Sequence, residues 1–190
     1  MLALSQAELT ILDWIAAHCR TLWLDVLFPI ITSLGDKGLL WIVLALILLA
    51  IPSQRSTGVQ VALALVFSAL LCNLILKNVV DRIRPFELAG IPELLVALPD
   101  DSSFPSGHTS ASFAVVTALM RDRHFLRWPC LVLAVLIALS RLYLYVHFPT
   151  DVAAGALLGI LCGWIAVTVW RRRLSPWYEK RRGRMTPDSR

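Results

Sequence analysis

The chain has 190 residues, of which 57% are hydrophobic and 16% are charged, whereas an ordinary soluble domain is about a quarter charged. This composition excludes an ordinary soluble domain and predicts a membrane protein. The net charge of +5 does not predict nucleic-acid binding, because the basic residues cluster at 121–127 and 171–190, as is typical of anchoring at a membrane surface. The four cysteines lack the spacing of a zinc site or a redox pair, so they are interpreted as small apolar fillers.

The N-terminal part of the chain predicts one short helix and one ambiguous segment. Residues 7–17 place apolar side chains at roughly helical spacing around Glu8 and Asp13, which predicts an interfacial helix. The same two carboxylates argue against a signal peptide, so the first apolar segments would serve as the targeting signal. Residues 22–34 are apolar but short, and a turn is predicted at 35–38. This segment either crosses the membrane or enters it and returns.

The remaining apolar segments predict a helix bundle. They are 39–51, 59–76, 105–120, 128–146 and 152–170, with a loop at 86–104. The last of them lacks any charged residue and is close to the ~20 residues that cross a bilayer core. The predicted fold class is therefore an all-α polytopic membrane helix bundle of five to six transmembrane helices with an N-terminal interfacial helix. One domain is predicted over 1–190, with a core at 59–170 and a basic cytoplasmic tail at 171–190.

Three groups of polar residues lie at the ends of these segments, at 77–85, 105–108 and 140–151. If the segments alternate in direction, all three groups lie at one membrane face, and most of the remaining arginines lie at the other. Because basic residues favour the cytoplasmic side, the polar groups are predicted to face the periplasm or the exterior of a plasma or inner membrane.

The first polar group contains the cations Lys77 and Arg84. Cations at the end of an apolar helix are often simple interface anchors. At an outer face, however, they run against the usual charge bias, which indicates an anionic partner. The intervening Arg82 is expected to pair with Asp81 or to point to solvent.

The second polar group, Pro105-Ser106-Gly107-His108, has two interpretations. Proline, serine and glycine near a helix start are ordinary capping residues. The same geometry leaves backbone N–H groups free at the positive end of a helix, which is a phosphate-binding arrangement. His108 could then donate a proton to a leaving oxygen.

The third polar group contains Arg141, His147 and Asp151. Asp151 is either a helix cap or a carboxylate that holds the ring of His147 in one tautomer. A ring held in this way could attack phosphorus and form a phosphohistidine, although the residues alone do not rank His147 above His108 as the attacking group. Metal binding is the alternative use of two histidines and an aspartate. It is less favoured, because the three cations would repel a divalent ion and already supply the charge that phosphoryl transfer needs.

Together the three groups resemble the signature of the type 2 phosphatidic acid phosphatase superfamily, which includes integral-membrane lipid phosphatases and soluble vanadium haloperoxidases. That signature reads Lys-x6-Arg-Pro, then Pro-Ser-Gly-His, then Ser-Arg-x5-His-x3-Asp. Every position is present in order and spacing, as Lys77 with Arg84-Pro85, Pro105-Ser106-Gly107-His108, and Ser140-Arg141 with His147 and Asp151.

The resemblance implies a role for each residue. His147 would be the nucleophile, oriented by Asp151, and His108 would protonate the leaving oxygen. The phosphate would be held by Lys77, Arg84, Ser106, Gly107 and Arg141. Water would then hydrolyse the phosphohistidine, and neither a metal nor another cofactor would be required.

The resemblance also implies a substrate class. The compact chain is most similar to short bacterial enzymes that convert undecaprenyl diphosphate to undecaprenyl phosphate. Phosphatidylglycerophosphate, phosphatidate and diacylglycerol pyrophosphate are the alternatives, because their headgroups are nearly the same. The implied partners are a lipid phosphate and the bilayer, and no oligomeric state is predicted. Outside this class, a haloperoxidase-like enzyme and a non-catalytic lipid binder or transporter remain as alternatives.

Overall fold

The structure, a computed structural model, describes residues 2–176, and side chains from residue 4 onward. Within this range the chain is helical and contains no β-strand, which confirms the all-α prediction. The helices are α1 (Leu2–Cys19), α2 (Leu22–Leu34), α3 (Leu39–Ala50), α4 (Arg55–Ser68), α5 (Lys77–Val80), α6 (Pro85–Leu88), α7 (Gly107–Arg121), α8 (Arg127–Tyr143) and α9 (Pro149–Val169). Most of the predicted basic tail, 177–190, lies outside the described residues.

Three short helical stretches of other types connect or extend these helices. A 3-10 turn, Asp36–Gly38, joins α2 to α3. A π-helical stretch, Ala69–Leu76, joins α4 directly to α5, and another, Trp170–Leu174, extends α9. The first π-helical stretch therefore carries the chain from the interior of the bundle to Lys77, the first residue of the first polar group.

Within residues 2–176, two helical stretches are long and apolar enough to cross a membrane, Arg55–Leu88 and Pro149–Leu174. Helices α2 and α3, bent by 42° relative to each other, make a third if the pair is one span. The predicted helices α7 and α8 have 15 and 17 residues, fewer than the ~20 that a straight crossing needs. The chain is therefore a membrane protein with apolar spanning helices, and the count of five to six crossings stays a prediction.

Large apolar side chains face outward from several helices. They include Trp23 and Val26 on α2, Leu46 on α3, Val132 on α8 and Leu157 on α9. The interior between α4, α7 and α9 is instead filled by small residues such as alanine, valine and cysteine. This distribution is typical of helices in lipid, where small residues permit close packing and large apolar residues meet acyl chains.

Helices α7 and α9 pack closely against each other, and glycines on α9 permit the close contact. They are Gly155, Gly159 and Gly163, spaced one helical turn apart. A Cβ atom added at Gly159 would lie 2.3 Å from the carbonyl oxygen of Ser110, and one at Gly155 would lie 2.6 Å from that of Ser106. Any larger residue would therefore separate the two helices. Their close contact brings the second and third polar groups together, because α7 and α9 both begin at this end of the molecule.

Several helix boundaries differ from the predicted ones. Helix α7 begins at Gly107 and not at Pro105, because Ser106 has the extended backbone of an N-cap residue. Helix α8 ends at Tyr143, since Tyr145 adopts a left-handed conformation with φ of 61°. The chain thus reverses direction over 144–148 before α9 begins, and this turn carries His147.

Helix α1 is longer than the predicted segment 7–17, and it packs against the site end of the bundle. Leu12 is fully buried in a cluster with Tyr145 and Phe148 of the turn between α8 and α9. Tyr145 also donates a hydrogen bond to Asp13, with 2.6 Å between the two oxygens. A location of α1 in the membrane interface stays a prediction, whereas its contact with the turn that carries His147 is a feature of the fold.

Candidate active site

The three predicted polar groups meet at one cavity of about 380 Å³. Its lining includes six of the predicted site residues, Lys77, Arg84, Gly107, His108, Arg141 and His147. The two others, Ser106 and Asp151, are fully buried behind this wall. The structure therefore brings together residues from distant parts of the chain, from Lys77 after the first π-helical stretch to Asp151 in the first turn of α9.

Lys77 and Arg84 both form ion pairs with Asp101, a residue of the loop between α6 and α7. Burial of the Asp101 carboxylate opposes its ionisation, but the hydrogen bonds and charges of Lys77 and Arg84 outweigh burial and lower its pKa to about 2. The anionic partner that the sequence indicated for these cations is thus present within the chain. Asp101 lies in the predicted loop 86–104, and nothing in its spacing marks it as the partner of these cations.

Arg84 is further fixed by the backbone around it. Its Nη1 donates to the carbonyl oxygen of Val146, and its Nε donates to that of Asp101, both over 2.7 Å. Arg141 is buried and donates to the hydroxyl of Thr32 on α2, with 2.5 Å between the atoms. Both guanidinium groups are thereby held at the cavity wall, which is how cations can be arranged in advance for an anionic ligand.

The N-terminus of α7 lies at the same cavity as these cations. Gly107 lines the cavity at the first turn of the helix, where backbone N–H groups lack partners within the helix and favour an anion. Ser106, in contrast, is fully buried, and its hydroxyl lies 3.0 Å from that of Thr109. The backbone at Gly107 is therefore better placed for a phosphate oxygen than the Ser106 side chain.

His147 and Asp151 lie next to each other, but their closest atoms are not hydrogen-bonded. The distance from His147 Nδ1 to Asp151 Oδ2 is 3.7 Å. That oxygen already accepts from the backbone N–H of Phe148 over 2.9 Å and from the Ser103 hydroxyl over 2.5 Å. Asp151 thus caps α9 and also faces the histidine, so the two interpretations of this residue are compatible. Hydrogen bonds of catalytic groups are often long before the substrate binds.

The environment of His147 keeps its ring neutral. Burial lowers the pKa of the ring well below its usual value, and the nearby charges of Arg141, Arg84 and Lys77 lower it further. A neutral imidazole carries a lone pair on one ring nitrogen. Because Nδ1 faces Asp151, the lone pair available for attack would be on Nε2.

The expectation that Arg82 pairs with Asp81 or points to solvent is wrong. Its side chain is buried, and its Nη1 lies 2.5 Å from Asp151 Oδ1. Its Nη2 lies 2.5 Å from Glu8 Oε2 on α1. The expectation failed because Asp81 adopts a left-handed conformation, with φ of 42°, that ends α5. Arg82 therefore leaves the helical path and turns towards the interior.

His108 also has a carboxylate partner that the sequence did not indicate. Its Nε2 lies 2.9 Å from Asp36 Oδ1, in the turn between α2 and α3. Gly35 lies directly against the ring, since a Cβ atom there would be 2.7 Å from His108 Cδ2. Residues 35–38 were predicted only as a turn. The membrane face on which they lie was not predicted, because residues 22–34 could either cross the membrane or enter it and return.

The chain matches the PAP2 superfamily, the type 2 phosphatidic acid phosphatases, over residues 57–175. The chain belongs to this superfamily. The predicted family is thereby confirmed, and the matched region contains all three polar groups. Helices α1 to α3 and the turn between α2 and α3 lie before it, and this part of the chain supplies Glu8, Thr32 and Asp36.

Individual PAP2 relatives show the same relationship. The chain is 33% identical over 130 residues to an undecaprenyl-diphosphatase of Sulfolobus acidocaldarius, covering 68% of this chain and 63% of that protein. Among solved structures, Aquifex aeolicus LpxE has a TM-score of 0.73 at 31% identity, covering 84% of this chain and 94% of that one. A PAP2-type phosphatidylglycerolphosphate phosphatase of Bacillus subtilis has a TM-score of 0.73 at 27% identity, covering 91% and 89%. The chain thus spans just under two thirds of the length of the Sulfolobus protein and most of each solved structure.

Proposed function

We propose that this protein is a lipid phosphatase that removes phosphate from a lipid phosphate or diphosphate through a phosphohistidine, without a metal. The observation that carries the proposal is the position of His147. Its neutral ring lies in a cavity lined by Lys77, Arg84 and Arg141, with the Asp151 carboxylate on the opposite side. A neutral nucleophile next to three cations suits attack on a phosphate, because the cations offset the charge of the transition state.

The first step transfers the phosphoryl group to the protein. Nε2 of His147 attacks phosphorus, a P–N bond forms, and the bond between phosphorus and the leaving oxygen breaks. His108 gives its proton to that oxygen. Asp151 stabilises the positive charge that develops on the ring of His147. The cations and the backbone at Gly107 hold the phosphoryl oxygens.

The second step releases phosphate. His108, now without its proton, takes a proton from a water molecule while the water oxygen attacks phosphorus. The P–N bond breaks, and its electron pair returns to His147. Inorganic phosphate leaves, and both histidines regain their starting protonation states. The same residue therefore acts first as an acid and then as a base.

The preferred substrate is proposed to be undecaprenyl diphosphate, which the enzyme would convert to undecaprenyl phosphate. The name of the Sulfolobus relative supports this choice, while the Bacillus structure supports phosphatidylglycerophosphate as the alternative. Phosphatidate and diacylglycerol pyrophosphate carry similar headgroups. A second cavity of about 630 Å³ shares His108 and Lys77 with the site and continues past Ile42 and Leu65. Its apolar end suits the tail of any of these lipids.

The location of the site is proposed from charge. Arg55, Arg121 and Arg171 lie at the end of the helices away from the cavity. Because basic residues favour the cytoplasmic side, the cavity would face the periplasm or the exterior of a plasma membrane, with the C-terminus in the cytoplasm. The chain would act as a single domain over 1–190, with the core at 59–170.

The test is phosphate release from a panel of the four lipids, with and without a chelator, by the wild type and by His147→Gln. We expect release to be insensitive to the chelator and lost in the variant. His18→Gln is the control, because His18 lies on α1 and its ring contacts Trp14, away from the cavity. A labelled phosphohistidine should be trapped in His108→Ala. Absence of phosphate release, together with halide oxidation on addition of vanadate, would instead indicate a haloperoxidase.

A further inference from the structure

A buried chain of charges extends from α1 to the candidate nucleophile. It consists of Glu8, Arg82, Asp151 and His147, in that order. We infer that Arg82, held in place by Glu8, is a positioning residue that fixes the Asp151 carboxylate against His147. The inference rests on the proposed function, since it assigns Arg82 and Glu8 to the orientation of the proposed nucleophile.

Arg82 contacts the carboxylate oxygen of Asp151 that does not face His147. Arg82 Nη1 lies 2.5 Å from Oδ1, whereas Oδ2 is the oxygen near His147 Nδ1. Oδ2 is itself held by the Ser103 hydroxyl and the Phe148 backbone N–H. With both oxygens bound, the carboxylate cannot rotate, so the same oxygen faces the ring before and during the reaction.

The burial of the Asp151 carboxylate requires a cation next to it. The Asp151 side chain is 0% exposed and that of Arg82 is 8% exposed. A buried carboxylate without a counterion is strongly destabilised, and it would relieve this destabilisation by taking up a proton. A protonated Asp151 could not stabilise a positive ring on His147. Arg82 therefore keeps the carboxylate in the charged form that the reaction needs, and its guanidinium is stacked 3.9 Å from the centroid of the Phe148 ring.

Glu8 neutralises the positive charge of Arg82. A cation beside Asp151 would by itself cancel the negative charge that faces His147. Glu8 Oε2 lies 2.5 Å from Arg82 Nη2, and Oε1 accepts from the N–H and hydroxyl of Thr150. One cation and two carboxylates leave one net negative charge beneath the ring. This charge matches the single positive charge that His147 gains when it carries the phosphoryl group.

The competing interpretation is that Glu8 and Arg82 only attach α1 to the bundle. A second attachment of α1 provides the matched control, because Asp13 accepts a hydrogen bond from Tyr145 but does not contact Arg82 or Asp151. If α1 matters only as a packed helix, Asp13→Asn and Glu8→Gln should have similar effects. If Glu8 acts through Asp151, only Glu8→Gln should reduce turnover.

The deciding experiment is a double-mutant cycle on the full chain in detergent, with undecaprenyl diphosphate as substrate. We expect Arg82→Gln to lower kcat about a hundredfold and to change KM by less than about threefold, because no phosphate contact is lost. Arg82→Lys should recover about tenfold of that loss, since it keeps the charge. In an Asp151→Asn background, Arg82→Gln should lower kcat by less than about twofold further, because the residue through which it acts is already inactive.

The inference is overturned if Arg82→Gln lowers kcat equally in both backgrounds, or if Asp13→Asn reproduces its effect. Size-exclusion profiles and unfolding midpoints establish that each variant is folded. Should Arg82→Gln not fold, Glu8→Gln takes its place in the same cycle, with an expected loss of about tenfold in kcat. Loss of activity in His147→Gln with full activity in Arg82→Gln rejects this inference alone. No phosphate release by the wild type from any of the four lipids rejects the proposed function itself.

Discussion

The two histidines of the cavity each have a carboxylate partner, but the two pairs have different surroundings. His147 and Asp151 are 2% and 0% exposed, whereas His108 and Asp36 are 20% and 63% exposed. Asp151 is fixed at the start of a long helix by several hydrogen bonds, while Asp36 lies in a short turn. The difference matches the proposed chemistry: a nucleophile needs one fixed orientation, and a proton donor must exchange protons with its leaving group and with water.

The largest expected effect comes from the buried pair. Asp151→Asn should lower kcat about 10³- to 10⁴-fold, because the amide cannot stabilise a positive ring on His147. KM should change little, since Asp151 does not line the cavity. Single-turnover formation of the phosphohistidine measures this step directly. An equal loss of substrate affinity and turnover would show that Asp151 acts only as the cap of α9.

A smaller effect is expected from the exposed pair. Asp36→Asn should lower kcat for a lipid phosphate about tenfold, because His108 would be less well oriented for proton donation. The loss should shrink with an aryl phosphate whose leaving oxygen needs little protonation. Asp25→Asn is the control, since Asp25 lies on the neighbouring α2 and bonds to Tyr143. A loss that is independent of the leaving group would remove His108 from the donor role.

The Asp101 carboxylate should compete with phosphate for Lys77 and Arg84. Asp101→Asn is therefore expected to lower the inhibition constant of inorganic phosphate by about three- to tenfold. Asp100→Asn is the control, since Asp100 is its neighbour and forms no ion pair in the described part of the chain. Inhibition assays at fixed pH measure the effect. Weaker inhibition in Asp101→Asn would show that Asp101 helps to hold phosphate.

The neutral ring of His147 should make stability depend on pH. Its pKa in the folded protein is lowered, so below about pH 6.5 the unfolded chain binds a proton more readily than the folded chain. Stability is therefore complete above that pH and declines as pH falls towards the folded pKa. Between about pH 7 and pH 5 we expect this histidine to lower Tm by roughly 4–8 °C.

The control for this prediction is an exposed histidine outside the cavity, His18. His147→Gln should remove that part of the pH dependence, and His18→Gln on α1 should leave it in place. Thermal unfolding of both variants in detergent at several pH values measures the difference. An unchanged pH dependence in His147→Gln would mean that the buried ring does not titrate on unfolding as inferred.

The family and the gathering of the polar groups could be predicted from the sequence, because their signals are local. An apolar segment reveals a helix in lipid by composition alone, and the spacing of Arg141, His147 and Asp151 lies within one short stretch. The crossing count was harder to predict, since α7 and α8 are short and α2 is followed by a bend.

The partners of these residues could not be predicted, because they come from distant parts of the chain. Asp36 meets His108 across 72 positions, and Glu8 meets Arg82 across 74. Arg82 stands between two predicted phosphate-binding cations, yet it turns away from the cavity at the left-handed Asp81. No local pattern distinguishes a carboxylate that will meet such a cation from one that stays in water.

By itself, then, the sequence determined the helical fold class, the family and six of the residues that line the cavity. Only the tertiary structure decided which charges pair. The close contact of α7 with α9 places the Ser106 backbone against Asp151 and Gly155, and the packing of α1 on the turn at 144–148 places Glu8 beside Arg82. The physical reason is that hydrophobicity and spacing act along the chain, whereas the pairing of buried charges depends on which helices pack together.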